Sequence, residues 1–430
     1  MTDRILPTPG RYDGTMPTSR ARLALLALGV VVCMNGPAFF LQFRVFEHWW
    51  DWDGPVVRES LIALAVAATA VVAMTAFGPG RWSRVSKAQR AAIVLVGGLT
   101  AWIFATSLWS VAPDITRGRA AMYIGLACFA WLLAQLRFDD LRTVVLLACT
   151  VVLVASAAAI AFSDSIGQDK NDDWRGIFTN RNSLAPVAAL TVILAVGLAI
   201  ERRGRVRVGA ICLAVLGAVL MLGSGSRTAW LAMFTAAGIG LVVVGTRRAR
   251  DRWGWPALVV GPMIAVGGAG VVTAVVASLW DESTFIQRRT IWDLVGNQIG
   301  ERTWQGHGWF TMWTQPDFTS GHELLQRGSA HGSIHDVWLG AGLIGLASFA
   351  AVVAVGLANA GLAAWRRPSV ATWTWLSAIS FLVIENLTES FVLWFSYNWV
   401  LLLVAALSVG SARSAEVDRP APSPSERVTV

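Results

Sequence analysis

VVLLACTVVLVASAAAIAF, Val144 to Phe162, contains no Asp, Glu, Lys or Arg. Wound as an α-helix at about 1.5 Å per residue, the stretch reaches about 28 Å, close to the thickness of a bilayer's hydrocarbon core. It is apolar on every side, whereas a strand of a membrane barrel alternates with period two. The stretch predicts a membrane-spanning helix, because a helix satisfies its backbone groups internally. Ala91 to Leu108 and Leu184 to Ile200 read the same way, and the whole chain agrees: 55% of its 430 residues are hydrophobic and 14% charged. A soluble domain carries about a quarter charged residues.

Outward from these runs, the hydropathy pattern predicts an all-α integral membrane protein of about twelve transmembrane helices. They run Leu23 to Phe43, Leu61 to Phe77, Ala91 to Leu108, Ala120 to Leu136, Val144 to Phe162, Leu184 to Ile200, Val208 to Leu222, Thr228 to Val244, Ala257 to Leu279, Val337 to Ala363, Trp373 to Leu387 and Phe391 to Val409. The chain divides into an N-tail (1–22), helices 1–9 (23–279), a long extracytoplasmic loop between helices 9 and 10 (280–336), helices 10–12 (337–410) and a C-tail (411–430). Both tails are polar and are expected to be disordered, without function. The first span lacks a small-residue cleavage site and reads as a retained anchor.

With both termini in the cytoplasm, 23 of the 35 Lys and Arg fall in inner segments, which satisfies the positive-inside rule. That distribution accounts for the basic balance by topology and sets nucleic acid aside as a partner. Cys33, Cys128, Cys149 and Cys212 all lie in expected spans, without the spacing of a disulfide framework or a zinc site. All five histidines, His48, His307, His322, His331 and His335, fall on the outer side. The segment 280–336, rich in Trp, Gly, His and Arg, reads as a folded functional loop there.

Three places on that face can do chemistry. Arg227 sits in the small-residue turn Gly223-Ser-Gly-Ser-Arg-Thr-Ala-Trp230 between two spans, either snorkelling to headgroups or clamping an anion. Gln287-Arg-Arg-Thr-Ile-Trp292 opens a segment whose Ile291, Leu294, Val295 and Ile299 follow helical spacing, as in an amphipathic helix lying on the membrane. On it Arg288 shares a face with Ile291, Trp292 and Val295, whereas Arg289 is placed to pair with Asp293. His331 and His335 flank Gly-Ser-Ile before the span near Val337 and share a face if that helix begins early. No Glu follows His331 in an HExxH arrangement and no strong third ligand is evident, so no metal is expected. A histidine beside two arginines makes a better general base, since the unperturbed imidazole pKa is about 6.5. Trp49, Trp50, Trp52, Trp304, Trp309 and Trp313 read as interfacial belt residues, some of them available to stack on sugar rings.

Several patches, in order between about Ala91 and Glu389, resemble the O-antigen ligase and O-antigen polymerase superfamily. Ser107-Leu-Trp-Ser-Val-Ala-Pro113 is similar to its tryptophan-serine-x-x-proline turn. Gly176-Ile-Phe-Thr-Asn-Arg-Asn182, containing Arg181, is similar to its glycine-x-phenylalanine through lysine/arginine-asparagine segment. Ser226-Arg227 resembles the serine-arginine that opens the next signature. Arg288 and Trp292 match arginine-x-x-x-tryptophan, and Gly306-His-Gly308 matches glycine-x-glycine. Family members place a histidine fourteen residues before the second glycine of glycine-x-x-glycine, and counting back from Gly345 in Gly342-Leu-Ile-Gly345 reaches His331. Two departures are Gly332, where the family has asparagine, and His335, where it has an apolar residue. Glu389, in Leu387-Thr-Glu-Ser390, resembles an acidic position near the family's last span.

The resemblance implies a bacterial inner-membrane glycosyltransferase of surface polysaccharide biosynthesis. It would move a glycan from a polyprenyl diphosphate carrier onto an acceptor hydroxyl at the outer face, with membrane lipids as surroundings, no nucleotide sugar and no cofactor. His331 would be the base and Arg227 and Arg288 the diphosphate ligands, with Arg181, Arg289, Trp292, His335 and Glu389 binding substrate. A lipid or polysaccharide transporter is the competing reading of a twelve-helix chain. Against it, the spans hold almost no charge away from their ends, where ion-coupled carriers place theirs.

Overall fold

The computed structural model describes residues 20–42, 86–169, 172–178, 180–254, 282–393 and 396–408. Among them there is no strand, and the longer helices are α1 (Arg20–Gln42), α2 (Lys87–Ala105), α3 (Pro113–Leu133), α4 (Phe138–Phe162), α5 (Arg181–Glu201), α6 (Gly204–Gly223), α7 (Arg227–Trp253), α8 (Glu282–Glu301), α9 (Ser333–Arg366), α10 (Val370–Thr388) and α11 (Tyr397–Leu407). Their starts follow local chemistry. Ser86 accepts from the Gln89 amide ahead of α2, Pro113 occupies the first turn of α3, and Asn180 accepts from the Ser183 amide ahead of α5. Ser369 and Thr372 close a capping box at α10.

Seven helices among the described residues are long and apolar enough to cross a membrane: α2 with the turn that follows it, α4, α5, α6, α7, α9 and α10. Three further expected spans coincide with α1, α3 and α11, while those at Leu61 to Phe77 and Ala257 to Leu279 lie outside the described residues. Residues 1–19, the C-tail and Trp49, Trp50 and Trp52 lie outside as well. The last span is shorter than expected. Phe391–Leu393 forms a 3-10 turn, and Ser396 caps a helix of only 11 residues by accepting from the Asn398 amide.

The most interior span is α5, with 72% of its apolar window buried against 22% for α6. It packs on α4, α6 and α10, and α10 packs in turn on α7 and α9. Small residues make the approaches close: a methyl group added at Gly197 of α5 would collide with Thr374 of α10. One turn further along α5, the buried Arg142 guanidinium lies 2.6 Å from Glu201 and 2.7 Å from Asp139, joining α4 to α5. Charge left inside the bundle is paired there, as burial demands.

The segment expected as a long loop is built differently. Its first part is the 20-residue helix α8, and 3-10 turns and one short helix follow before α9. The spacing read from sequence holds on α8, since Ile291, Val295 and Ile299 are buried on one face. α9 starts at Ser333, four residues before the expected Val337, and breaks at Gly342, whose φ is 67° and ψ −174°. The break is sealed by the segment after α8: the amides of His307 and Gly308 donate to the carbonyls of Leu339 and Gly340 at 2.9 and 3.0 Å, and the Leu343 amide donates to Thr303 at 2.8 Å. A methyl group at Gly306 would stand 2.5 Å from the Gly342 nitrogen, so both glycines are required by this crossing of two backbones.

Candidate active site

Glu389 follows α10 as its C-cap residue and is 7% exposed. One carboxylate oxygen lies 2.9 Å from Arg288 Nη2 of α8 and 3.1 Å from Asn182 Nδ2 of α5; the other lies 3.0 Å from His331 Nδ1. Three segments far apart in sequence therefore converge on one carboxyl group. Beside Arg288 the carboxyl is an acceptor, so the His331 proton sits on Nδ1 and the lone pair on Nε2. Nε2 is buried and meets no hydrogen-bonding partner in the structure. This places a basic lone pair behind a carboxylate that can stabilise the imidazolium, the orientation logic shared by hydrolytic triads.

The backbone carrying His331 is held on both sides. His331 has φ 48°, an unusual conformation for a residue with a Cβ. Ahead of it, the Ala330 carbonyl accepts from Trp292 Nε1 at 2.9 Å, and the Ala330 amide donates to Asp336 at 3.0 Å. Behind it, the Gly332 amide donates to Ser390 Oγ at 2.9 Å, and Ser333 Oγ bonds the Glu389 carbonyl at 3.1 Å. Asp336 is 1% exposed and also accepts from Trp313 Nε1 at 2.8 Å and from Ser390 Oγ. It is the hub that ties α9, the loop before it and the end of α10 together.

The remaining expected residues divide into those near this hub and those turned away. Arg181, adjacent to Asn182 at the start of α5, is ion-paired to Asp173. Arg227 opens α7 two residues after Gly225, at which a methyl group would come within 2.7 Å of Asp173 and 3.6 Å of Arg181. The Arg227 turn and the Arg181 turn thus pack together at the end of the bundle that holds Asn182. Trp292 is committed by its bond to Ala330 and by stacking on His335, with ring centroids 4.8 Å apart and 9° between planes.

Several expectations are corrected. Because α9 begins at Ser333, His331 precedes the helix and does not share a helical face with His335. Arg289 is exposed and forms no ion pair with Asp293; with Arg288 turned inward it points away from the cluster. Trp309 and Trp313 are buried rather than belt residues: Trp309 stands edge-on to Tyr123, and Trp313 serves Asp336. Trp304 is 64% exposed. Reading the sequence missed Asn182 as a partner and Asp336 altogether. An acidic residue at the mouth of an apolar span was the available signal for Asp336.

The two departures from the family pattern are neighbours. A methyl group at Gly332 would lie 3.4 Å from Trp292 Nε1 and 3.5 Å from His335 Nδ1. The stacked His335 ring occupies the space beside a residue that has no side chain. The tryptophan-serine turn also docks on the glycine-x-glycine segment. The Val111 amide donates to the His307 carbonyl at 3.2 Å, Arg302 Nη1 donates to Trp109 O at 2.9 Å, and the Trp309 amide donates to Thr106 Oγ1 at 3.3 Å. His307 itself donates to the Gln298 carbonyl at 2.8 Å. Burial pulls its pKa below the usual histidine value, against the opposing pull of that carbonyl, and nearby Arg302 lowers it further.

Residues 212–350 match the family model described as O-antigen ligase. Over those residues the chain is similar to O-antigen ligases. The matched stretch contains Arg227, Arg288 and His331, while Asn182 and Glu389, which complete the cluster, lie outside it. No curated protein matches the chain in sequence. Together with the seven helices long and apolar enough to cross a membrane, the similarity to O-antigen ligases supports a multi-pass membrane protein.

Proposed function

We propose that the protein is a glycosyltransferase that takes a glycan from a polyprenyl diphosphate carrier in the outer leaflet of the bacterial inner membrane and joins it to an acceptor hydroxyl. The observation that carries this reading is the single carboxylate of Glu389 joining Arg288 to His331. His331 Nε2 takes the proton of the acceptor hydroxyl as its oxygen attacks the anomeric carbon. The bond from that carbon to the diphosphate oxygen breaks, and the electron pair leaves with the lipid diphosphate. Attack opposite the leaving group inverts the anomeric centre. Arg288 and Arg227 receive the charge that builds on the diphosphate, since guanidinium forks match phosphate oxygens. Glu389 fixes the imidazole and stabilises its cation, as a second carboxylate does in other acid–base pairs. Arg181, paired with Asp173, and Arg289, on the exposed face of α8, contact the carrier outside the cluster itself. Both termini lie in the cytoplasm in this arrangement, and neither a nucleotide sugar nor a cofactor enters the reaction.

The test uses full-length purified protein, a polyprenyl diphosphate-linked glycan and candidate acceptors, in the presence of EDTA. Wild type transfers glycan under these conditions. His331→Ala lowers the rate by about 10² to 10⁴, and Arg227→Ala and Arg288→Ala also weaken donor use. Undiminished transfer by His331→Ala removes it as the base. A protein that glycosylates nothing but moves labelled carrier lipid across proteoliposomes is a transporter instead.

A further inference from the structure

Glu389 is shared by two groups that the proposed reaction needs for different purposes. Arg288 and Glu389 form a pair whose side chains are 13% and 9% exposed, and Asn182 bonds the same oxygen that Arg288 does. The other oxygen holds His331. A diphosphate approaching Arg288 meets a guanidinium already engaged by a carboxylate, and two anions cannot both hold that fork at full strength.

We infer that Glu389 competes with the donor's diphosphate for Arg288, so that donor binding releases the carboxylate to act on His331 alone. This rests on the reading of Arg288 as a diphosphate ligand. Before the donor arrives, the Arg288 charge offsets the field of Glu389 at the imidazole. Once phosphate oxygens engage Arg288, that offset is shared with the ligand, and the carboxylate stabilises the imidazolium more strongly. Asn182 keeps its 3.1 Å bond to Glu389 and prevents the carboxylate from following the arginine. The base becomes strong when a glycan donor is in place, and it stays weak toward water or acceptor alone. Glu389 is a positioning residue in this scheme and has no contact with the sugar.

The consequence is an unusual split between affinity and turnover. Removing the charge of Glu389 frees Arg288, so donor binding tightens while transfer slows. A coupling of ordinary size gives a gain in affinity of about fivefold or more. A role confined to holding the fold would not raise affinity, and a sugar-binding role would lower it.

Binding of farnesyl diphosphate to the full-length protein in nanodiscs, measured alongside glycan transfer, tests this on wild type, Glu389→Gln and Arg288→Ala. Glu389→Gln is expected to bind the probe about fivefold or more tightly than wild type and to transfer at least about tenfold more slowly, while Arg288→Ala loses binding. Should the glutamine form not accumulate as folded protein, Glu389→Ala is read in the same way. If Glu389→Gln binds no more tightly than wild type while Arg288→Ala loses binding, the competition is overturned and the diphosphate role of Arg288 survives. If Arg288→Ala binds the probe as wild type does, the diphosphate role itself fails, and the competition falls with it.

Discussion

Asp336→Ala is the substitution that most directly separates the support of His331 from its chemistry. The Asp336 carboxylate is buried and accepts from the Trp313 indole at 2.8 Å, from the Ala330 amide at 3.0 Å and from the Ser390 hydroxyl. Alanine leaves three donors in a dry place without an acceptor. Each buried, unsatisfied polar group costs about 1–3 kcal/mol, and partial relaxation keeps the total at about 3–5 kcal/mol. The Ala330 amide precedes His331 directly, so the loss is also felt as misplacement of the proposed base. Thermal unfolding of the purified protein reads the first effect, and glycan transfer reads the second. Asp336→Asn keeps one acceptor oxygen and should fall between alanine and wild type in both. An alanine variant with wild-type Tm and wild-type transfer would refute the view that this carboxylate organises the site.

Three further outcomes follow from the geometry. His335→Phe keeps a ring stacked on Trp292, so transfer should stay within about threefold of wild type, the loss of roughly one weak contact; a collapse like that of His331→Ala would move the base to His335. Gly308→Ala places a methyl group against Ser110 at a residue with φ 105°. It should cost about 2 kcal/mol or more, seen as a lower Tm, and an unchanged Tm would contradict the crossing described. His307 has its pKa lowered by burial, so the unfolded chain takes up its proton first as pH falls. Its contribution is fully present above the ordinary histidine pKa of about 6.5 and is lost as pH falls from there toward the depressed folded value. The drop in Tm between pH 7.5 and pH 5.5 should shrink in His307→Gln, and an equal drop in both proteins would exclude this group as its source.

What the sequence revealed follows from the range over which each signal acts. Hydropathy is local, so α4, α5, α6 and α7 lie close to where composition put them, and the inward face of α8 could be read from the spacing of Ile291, Val295 and Ile299. Counting back from Gly345 to His331 selected the histidine that meets Glu389 rather than the one that stacks on Trp292. The convergence of Asn182, Arg288 and His331 on Glu389 joins residues up to 207 positions apart, and no local pattern encodes such a meeting. Burial of Trp313 was hidden for a related reason. An indole in a loop suits a membrane interface unless a distant partner such as Asp336 claims its N–H. The break of α9 at Gly342 needed knowledge that residues 303–308 would return to occupy the freed backbone groups.

That break has a bearing on how the protein can be re-engineered. The unwound turn of α9 and the segment carrying Gly306 and Gly308 are satisfied by each other's amides and carbonyls, so neither is an independent cassette. A chimera that imports a relative's segment between α8 and α9 must carry the mouth of the following helix with it, as two halves of one joint. Residues 302–310 transplanted alone would meet an opening cut for another key.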